Sequence, residues 1–286
     1  MNYDNINNLI DYALYTNLLE IKDDKYFDIQ INIKDIIDNA ILNNEFEMYL
    51  QPIYSVKDNR FKSAEALVRL NSKKYGIIPP NFFIPYAEKV GLITKIDDIM
   101  FENVAKFVSS KLFDELNLEL IEVNFSHKSC GDIKLIERIK NHILKYNVDV
   151  SRINIEITES FDIEDKEIAN NNVLKLKELG FGISLDDYGT GYSNLIRLIN
   201  FPVNIIKIDK SLTDEVYKKE IEDILVTTFH LFKDNKQKSV VEGVENISTL
   251  TRVIEFGCDY IQGFYFSKPL PLNEFIEFIK SGGGLW

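Results

Sequence analysis

Cysteine is nearly absent from this 286-residue chain: Cys130 and Cys258 stand far apart. Neither has metal-ligand spacing, and two isolated thiols fit a reducing compartment better than a disulfide framework. Histidine is equally sparse. His127, His142 and His230 are scattered, which argues against a His/Cys zinc site. No apolar run approaches the roughly 20 residues needed to span a bilayer. The opening segment, MNYDNINNLIDYAL, is polar and acidic, unlike a signal peptide. Positive charge is also short. There are 33 Lys and Arg against 45 Asp and Glu, a net charge of −12. Such a surface argues against DNA, RNA or an anionic membrane as partner, so an anionic substrate needs local cations. The expected location is the cytoplasm, within a parent protein whose other parts would be free to carry a membrane anchor.

What the chain has is enough apolar content, 45%, to bury a sizeable core. Eight strand-like runs fall at 46–54, 61–68, 118–126, 152–158, 180–187, 204–209, 238–243 and 260–266. Amphipathic helical patterns separate most of them, among them 163–180, 213–233 and 247–257, the last closed by Gly257. Strands alternating with helices imply parallel pairing, and eight over this length point to an α/β fold, a (β/α)8 TIM barrel. One connection breaks the pattern. Only YSVKDNR (54–60) joins the first two runs, too short for a crossover helix, so the first strand is expected antiparallel to the second. Residues 1–33 precede the barrel, contain one expected helix near 5–19, and are too few to bury a core alone.

The most informative segment is DDYGTGYSNL (186–195). Asp186 and Asp187 close an apolar run and lead into a turn with Gly189 and Gly191. A buried strand thus delivers two hard oxygen ligands to a glycine-hinged loop, an arrangement suited to divalent-metal chemistry on a phosphate. Taken alone, an Asp-Asp pair before glycines is ordinary turn chemistry. A lone Glu at a strand end is ordinarily solvated, and Gln51 and Gln262 taken singly fit satisfied core amides equally well. The set is harder to dismiss. Glu65, Asn124, Glu156, Asp186, Asp187, Lys207, Glu242 and Gln262 all fall at the ends of expected strands, where a barrel gathers its active site. Converging carboxylates repel one another without a cation, and ligands that are all oxygen favour Mg²⁺ or Mn²⁺ over zinc.

These same residues resemble the signatures of EAL domains, a family of cyclic-di-GMP phosphodiesterases. In order they are LQPI (50–53), EALVRL (65–70), VNFS (123–126), EITES (156–160), DDYGTGYSNL (186–195), KIDKSL (207–212), VVEGVE (240–245) and QGFYFSKPL (262–270). The resemblance covers about residues 34–280, and the family's modified barrel has an antiparallel first strand. It implies that Glu65, Asn124, Glu156 and Asp186 hold one of two Mg²⁺ or Mn²⁺ ions and Asp187 the second. Lys207 would orient the attacking water and Glu242 would handle protons or metal-bound water, with Glu65 and Lys207 central to catalysis. Gln262 would assist at the same centre, Arg69 would clamp a ligand phosphate and Gln51 would contact the ligand. Glu159 would tether the 186–195 loop, hinged at Gly189 and Gly191, and pass on contacts across a homodimer. Departures are mild: Leu70 stands where the family usually has Trp, and Val241 replaces a small residue beside Glu242.

The implied activity is hydrolysis of cyclic di-GMP to linear pGpG. A receptor or interaction domain that does not cut the nucleotide is the alternative, and the intact Glu65, Asp186, Asp187, Lys207 and Glu242 weigh against a receptor. Residues 9–29 resemble the last helix and strand of a GGDEF domain, with Asp11, Ala13, Leu14 and Tyr15 fitting its pattern. The expected organisation is therefore a linker or GGDEF remnant over 1–33 and an EAL barrel over 34–286.

Overall fold

Strands β1 (Phe46–Ser55) and β2 (Arg60–Ser72) form the hairpin that the short connection predicted. The computed structural model describes residues 24–158, 166–190 and 202–283. The turn between β1 and β2 is held by Ser55 Oγ donating to Asp58 at 2.7 Å, with Asn59 in the left-handed region (φ 53°) that Asn tolerates better than most residues.

The described residues form two units, 24–47 with 68–96, and 48–67 with 97–283. In the first, α1 (Asp24–Ile31) leads to α2 (Ile33–Asn43), then comes the short β3 (Gly76–Ile78), and α3 (Pro80–Val90) follows it. Ile33, Ile36, Ile37 and Ala40 recur at helical spacing and are buried on one face of α2. Tyr26 stacks on Phe82 at 4.7 Å and Phe46 tilts against Phe83 at 5.7 Å. Pro80 opens α3, where its missing N–H costs nothing, and Gly91 (φ 77°) closes it. Residues 24–31 are helical, not the strand that would close a GGDEF-like segment; Ile29 is fully buried in this helix. The helix expected near 5–19 lies outside the described residues.

The second unit is the barrel. After α4 (Ile93–Val108) and α5 (Lys111–Glu115) come β4 (Leu120–Asn124), α6 (His127–Cys130), α7 (Leu135–Tyr146) and β5 (Ile153–Thr158). Next are α8 (Lys166–Leu179), β6 (Gly182–Tyr188), β7 (Ile205–Ile208), α9 (Lys210–Thr213), α10 (Lys219–Asp234) and β8 (Lys238–Val241). The unit ends with α11 (Ile247–Phe256), β9 (Tyr260–Ile261), β10 (Leu270–Pro271) and α12 (Leu272–Lys280). Strands β2, β4, β5, β6, β7, β8 and β9 pair in parallel in that order. Strand β1 runs antiparallel to β9, with Tyr54 opposite Ile261, and its pairing with β2 closes an eight-stranded barrel.

Alternation explains what each strand presents. Ile121 and Val123, then Ile153, Ile155 and Ile157, then Ile183 and Leu185 are buried on one face of β4, β5 and β6. Each such isoleucine contributes about 1.5–3 kcal/mol by leaving water. The intervening residues, Glu122, Asn154, Glu156 and Ser184, occupy the opposite face and are also buried. In this stretch the barrel is apolar outside and polar inside.

Several expected elements are shorter than their sequence runs, and for two of them the structure shows why. Helix α10 begins at Lys219 rather than 213, because residues 214–218 are taken up in turns that follow α9. Strand β9 stops at Ile261 because Gly263 lies against the backbone of Val244. A Cβ at 263 would meet the Val244 carbonyl oxygen at 2.0 Å, and Val244 N donates to Gln262 O. The chain turns off the sheet there and leaves Gln262 at the strand end. Among the described residues no helix is long and apolar enough to cross a membrane.

Candidate active site

Each barrel strand contributes a polar side chain to one interior network. Strand β1 carries Gln51, β2 Glu65, β4 Asn124, β5 Glu156, β6 Asp186 and β7 Lys207, while Glu242 and Gln262 directly follow β8 and β9. Lys207 is the hub, 1% exposed. Its Nζ lies 2.8 Å from Glu156 Oε1, 2.8 Å from Glu242 Oε1 and 3.2 Å from Glu65 Oε2. Asp186 Oδ1 is 3.9 Å away and Glu122 Oε2 4.0 Å. The amides knit the rest together. Asn124 Nδ2 donates to Glu65 Oε1 at 2.8 Å, and Gln262 Nε2 donates to Glu65 Oε2 at 2.7 Å and Gln51 Oε1 at 3.0 Å. Gln51 in turn donates to the Ser267 carbonyl at 3.1 Å.

The loop after β6 is shaped by its backbone. A bulge interrupts pairing between Leu185 and Tyr188, and Asp187 sits at φ 58°. A non-glycine residue held in the left-handed region is strained, and such strain concentrates at functional sites. Consecutive residues of a regular strand face opposite ways, and the bulge with its left-handed Asp187 breaks that alternation here. Gly189 follows at φ 108°, and a Cβ there would meet Leu212 Cδ1 at 2.2 Å. Tyr188 anchors the turn, its ring edge-on to Phe232 at 5.7 Å.

Burial and mutual repulsion set the protonation states. Burial pushes the Glu156 carboxyl well above the usual range, and Glu65 adds to this. Glu242 is pushed up to about 8, chiefly by burial, and Asp187 to about 6 by burial and the neighbouring Asp186. Burial also raises Glu122. Glu65 goes the other way: burial is outweighed by the Lys207 charge and by hydrogen bonds from Gln262 and Asn124. Burial likewise opposes the Lys207 charge, but Glu156, Glu242 and Glu65 overcome it and hold the ammonium well above its ordinary pKa.

Glu65, Glu122, Glu156, Asp186, Asp187 and Glu242 gather here against one lysine. Among the described residues no three Asp, Glu, His or Cys side chains already stand in metal-holding geometry. The carboxylates converge on the Lys207 ammonium instead, the cation within reach. The donor set nevertheless fits a hard divalent ion. All its candidate ligands are oxygens, and Glu156 Oε2, Asp186 Oδ1, Glu122 Oε2 and Gln262 Oε1 are buried without a hydrogen-bond partner among the described residues. Buried carboxylate oxygens left unpaired are costly, and a divalent cation relieves that cost.

Of the residues expected to form the site, Gln51, Glu65, Asn124, Glu156, Asp186, Lys207, Glu242 and Gln262 join one network, with Asp187 next to Asp186 on the bulge. Arg69 lies four residues beyond Glu65 on β2, in the portion belonging to the first unit, where its Nη1 donates to the Val68 carbonyl at 2.8 Å. Glu159 and Gly191 lie outside the described residues. Sequence reasoning missed Glu122. It sits mid-strand, two residues before Asn124 on the same face, and the period of two was the signal that would have found it.

An eight-stranded α/β barrel with an antiparallel first strand and an acidic, lysine-centred interior defines a class of metal-fitted site. Residues 34–269 match the EAL domain family, and the chain belongs to it. It is 32% identical over 256 residues to the signaling protein YkoW of Bacillus subtilis (strain 168), covering 88% of this chain and 31% of that protein. It is 32% identical over 242 residues to the cyclic di-GMP phosphodiesterase PdeR of Escherichia coli (strain K12), covering 84% and 36%. The solved structure of the PaMucR phosphodiesterase in complex with c-di-GMP superposes with a TM-score of 0.79 at 27% identity, covering 85% of this chain and 99% of that one. The chain spans about a third of the length of the two curated relatives.

Proposed function

We propose that this chain is a metal-dependent phosphodiesterase that hydrolyses cyclic di-GMP to linear pGpG, breaking one of its two phosphodiester linkages. The carrying observation is the set of oxygen-bearing side chains from the other seven barrel strands or their ends, gathered with the buried Lys207 of β7. Glu65, Asn124, Glu156 and Asp186 would hold one Mg²⁺ or Mn²⁺ ion and Asp187 the second. When bound, the two ions supply hydroxide at neutral pH and neutralise charge that develops on the phosphoryl oxygens.

The chain's own residues do the rest. Lys207 presents a preorganised positive charge and a donor that orients the attacking water. Glu242, pushed up to about 8 in the metal-free chain chiefly by burial, would handle protons or metal-bound water. Gln262 and Asn124 fix both oxygens of Glu65. Arg69 would clamp a ligand phosphate and Gln51 would contact the nucleotide. The further parts of this reading are a homodimer, coupling of its contacts through Glu159 and the loop hinged at Gly189 and Gly191, a cytoplasmic location, and a barrel domain that begins after residue 33.

The test is chromatographic. Purified chain with Mg²⁺ or Mn²⁺ should convert cyclic di-GMP to pGpG, and chelation should stop it. Nucleotide bound by calorimetry but recovered uncut with Mn²⁺ would replace the enzyme with a receptor.

A further inference from the structure

Glu122 is a buried carboxylate that the proposed reaction does not yet use. It is 1% exposed, on β4, and beside Glu65 in strand register. Its Oε1 accepts a hydrogen bond from Ser184 Oγ at 3.4 Å, and Ser184 Oγ accepts one from Asn154 Nδ2 at 2.9 Å. The Asn154 amide fits only because Gly182 faces it: a Cβ at 182 would lie 1.4 Å from Asn154 Oδ1. Three strands thus supply a relay that supports one oxygen of Glu122. The other, Oε2, has no hydrogen-bond partner among the described residues and lies 4.0 Å from Lys207 Nζ.

Five carboxylates surround that ammonium within 4.0 Å. Three of them, Glu65, Glu156 and Asp186, belong to the proposed ligand set for a divalent ion, which would compete with Lys207 for their oxygens. Glu242 and Glu122 remain. Glu242 lies just beyond its strand and is 19% exposed, whereas Glu122 is enclosed and braced. We propose that Glu122 is a positioning residue: the counterion that keeps the Lys207 ammonium inside the barrel when divalent ions recruit the carboxylates around it. This rests on the reading of the site as a two-ion phosphodiesterase.

The experiment compares the wild-type chain with Glu122→Gln and Glu122→Asp. Mn²⁺ binding is followed by calorimetry, kcat and KM by cyclic di-GMP hydrolysis, and the metal-free melting temperature by scanning. Glutamine keeps the shape and the Ser184 contact but loses the charge; aspartate keeps the charge. The expected result is about tenfold weaker Mn²⁺ binding in Glu122→Gln, as removal of one nearby unit charge would give. Its kcat falls while KM holds, and its metal-free melting temperature holds, because Glu65, Glu156 and Glu242 still surround the Lys207 ammonium in that state. Glu122→Asp stays near wild type in Mn²⁺ affinity. Unchanged Mn²⁺ affinity and kcat in Glu122→Gln overturn the proposal. So does an equal loss in both variants with lowered melting temperatures, which marks a merely structural role. A wild-type chain that binds Mn²⁺ without cutting the nucleotide refutes the enzyme reading alone, and the Mn²⁺ arm still decides the role of Glu122.

Discussion

Lys207 Nζ and Glu156 Oε1 meet at 2.8 Å in the barrel, with the lysine 1% and the glutamate 0% exposed. A pair this enclosed is held only because both charges have further partners. The lysine has Glu242 and Glu65; the glutamate's second oxygen faces a cluster that fits a divalent ion. The same cation that offsets the buried carboxylates of the metal-free barrel is, in our reading, the one that orients the water.

Lys207→Met should separate these two roles. Removing one partner of a buried ion pair costs about 3–5 kcal/mol because the other charge is left uncompensated. The glutamates can escape that penalty only by taking up protons, so the loss in melting temperature should be larger at pH 8 than at pH 5.5. With Mn²⁺ added, turnover should fall about 10²–10³-fold, the scale of losing one preorganised electrostatic group. Scanning calorimetry at both pH values and a hydrolysis assay check the pair of outcomes.

The pH dependence of the metal-free chain has a definite sign. Glu242 titrates near 8 in the fold against an ordinary 4.5, and Glu156 is also raised. The folded state therefore binds more protons than the unfolded one, and their contribution to stability is full below about 4.5 and declines as pH rises toward 8. A divalent ion competes with those protons, so its binding releases them and tightens with pH. Mn²⁺ should raise the melting temperature more at pH 8.5 than at pH 6. An equal rise at both would contradict the protonated state assigned to Glu242.

Asp187→Gly should move stability and activity in opposite directions. Glycine relieves the left-handed strain at φ 58°, a stabilisation of about 1 kcal/mol. It also removes the proposed ligand of the second ion, and turnover should become undetectable. A variant more stable yet inactive is the signature of strain kept for function. Denaturant unfolding alongside the hydrolysis assay reads both.

Gly189→Ala should distort the loop without touching a ligand. The backbone φ of 108° is unfavourable for any side chain, and the new methyl group would strike Leu212 at 2.2 Å. We expect a loss of about 1–3 kcal/mol and reduced turnover. Adding Leu212→Ala relieves only the steric part. Stability in the double variant should recover partially, and full recovery would show that the backbone conformation is unimportant.

Much of the barrel is legible in the amino-acid sequence itself. Apolar residues at every second position marked β5 (Ile153, Ile155, Ile157) and β6 (Ile183, Leu185), and the seven residues from Tyr54 to Arg60 forced the antiparallel hairpin because no helix fits so short a connection. The polar residues that break each strand end were equally visible, since a carboxylate at the end of an apolar run is a local fact. Less legible were β3 and β10, too short to carry a period, and the early stop of β9, which depends on Gly263 lying against the remote backbone of Val244.

Local order along the chain determined which residues are polar, which face of a strand they share, and hence that an oxygen-rich site of hard ligands was to be expected. Only the closed barrel decided that Lys207 lies at its hub, that Asn124 and Gln262 grip the same glutamate from different strands, and that Glu122 belongs with them. The reason is physical. Proximity across a barrel is set by strand order and register, and the protonation of a carboxylate by how many like charges are brought beside it away from water. Neither quantity exists until the eighth strand has paired with the first.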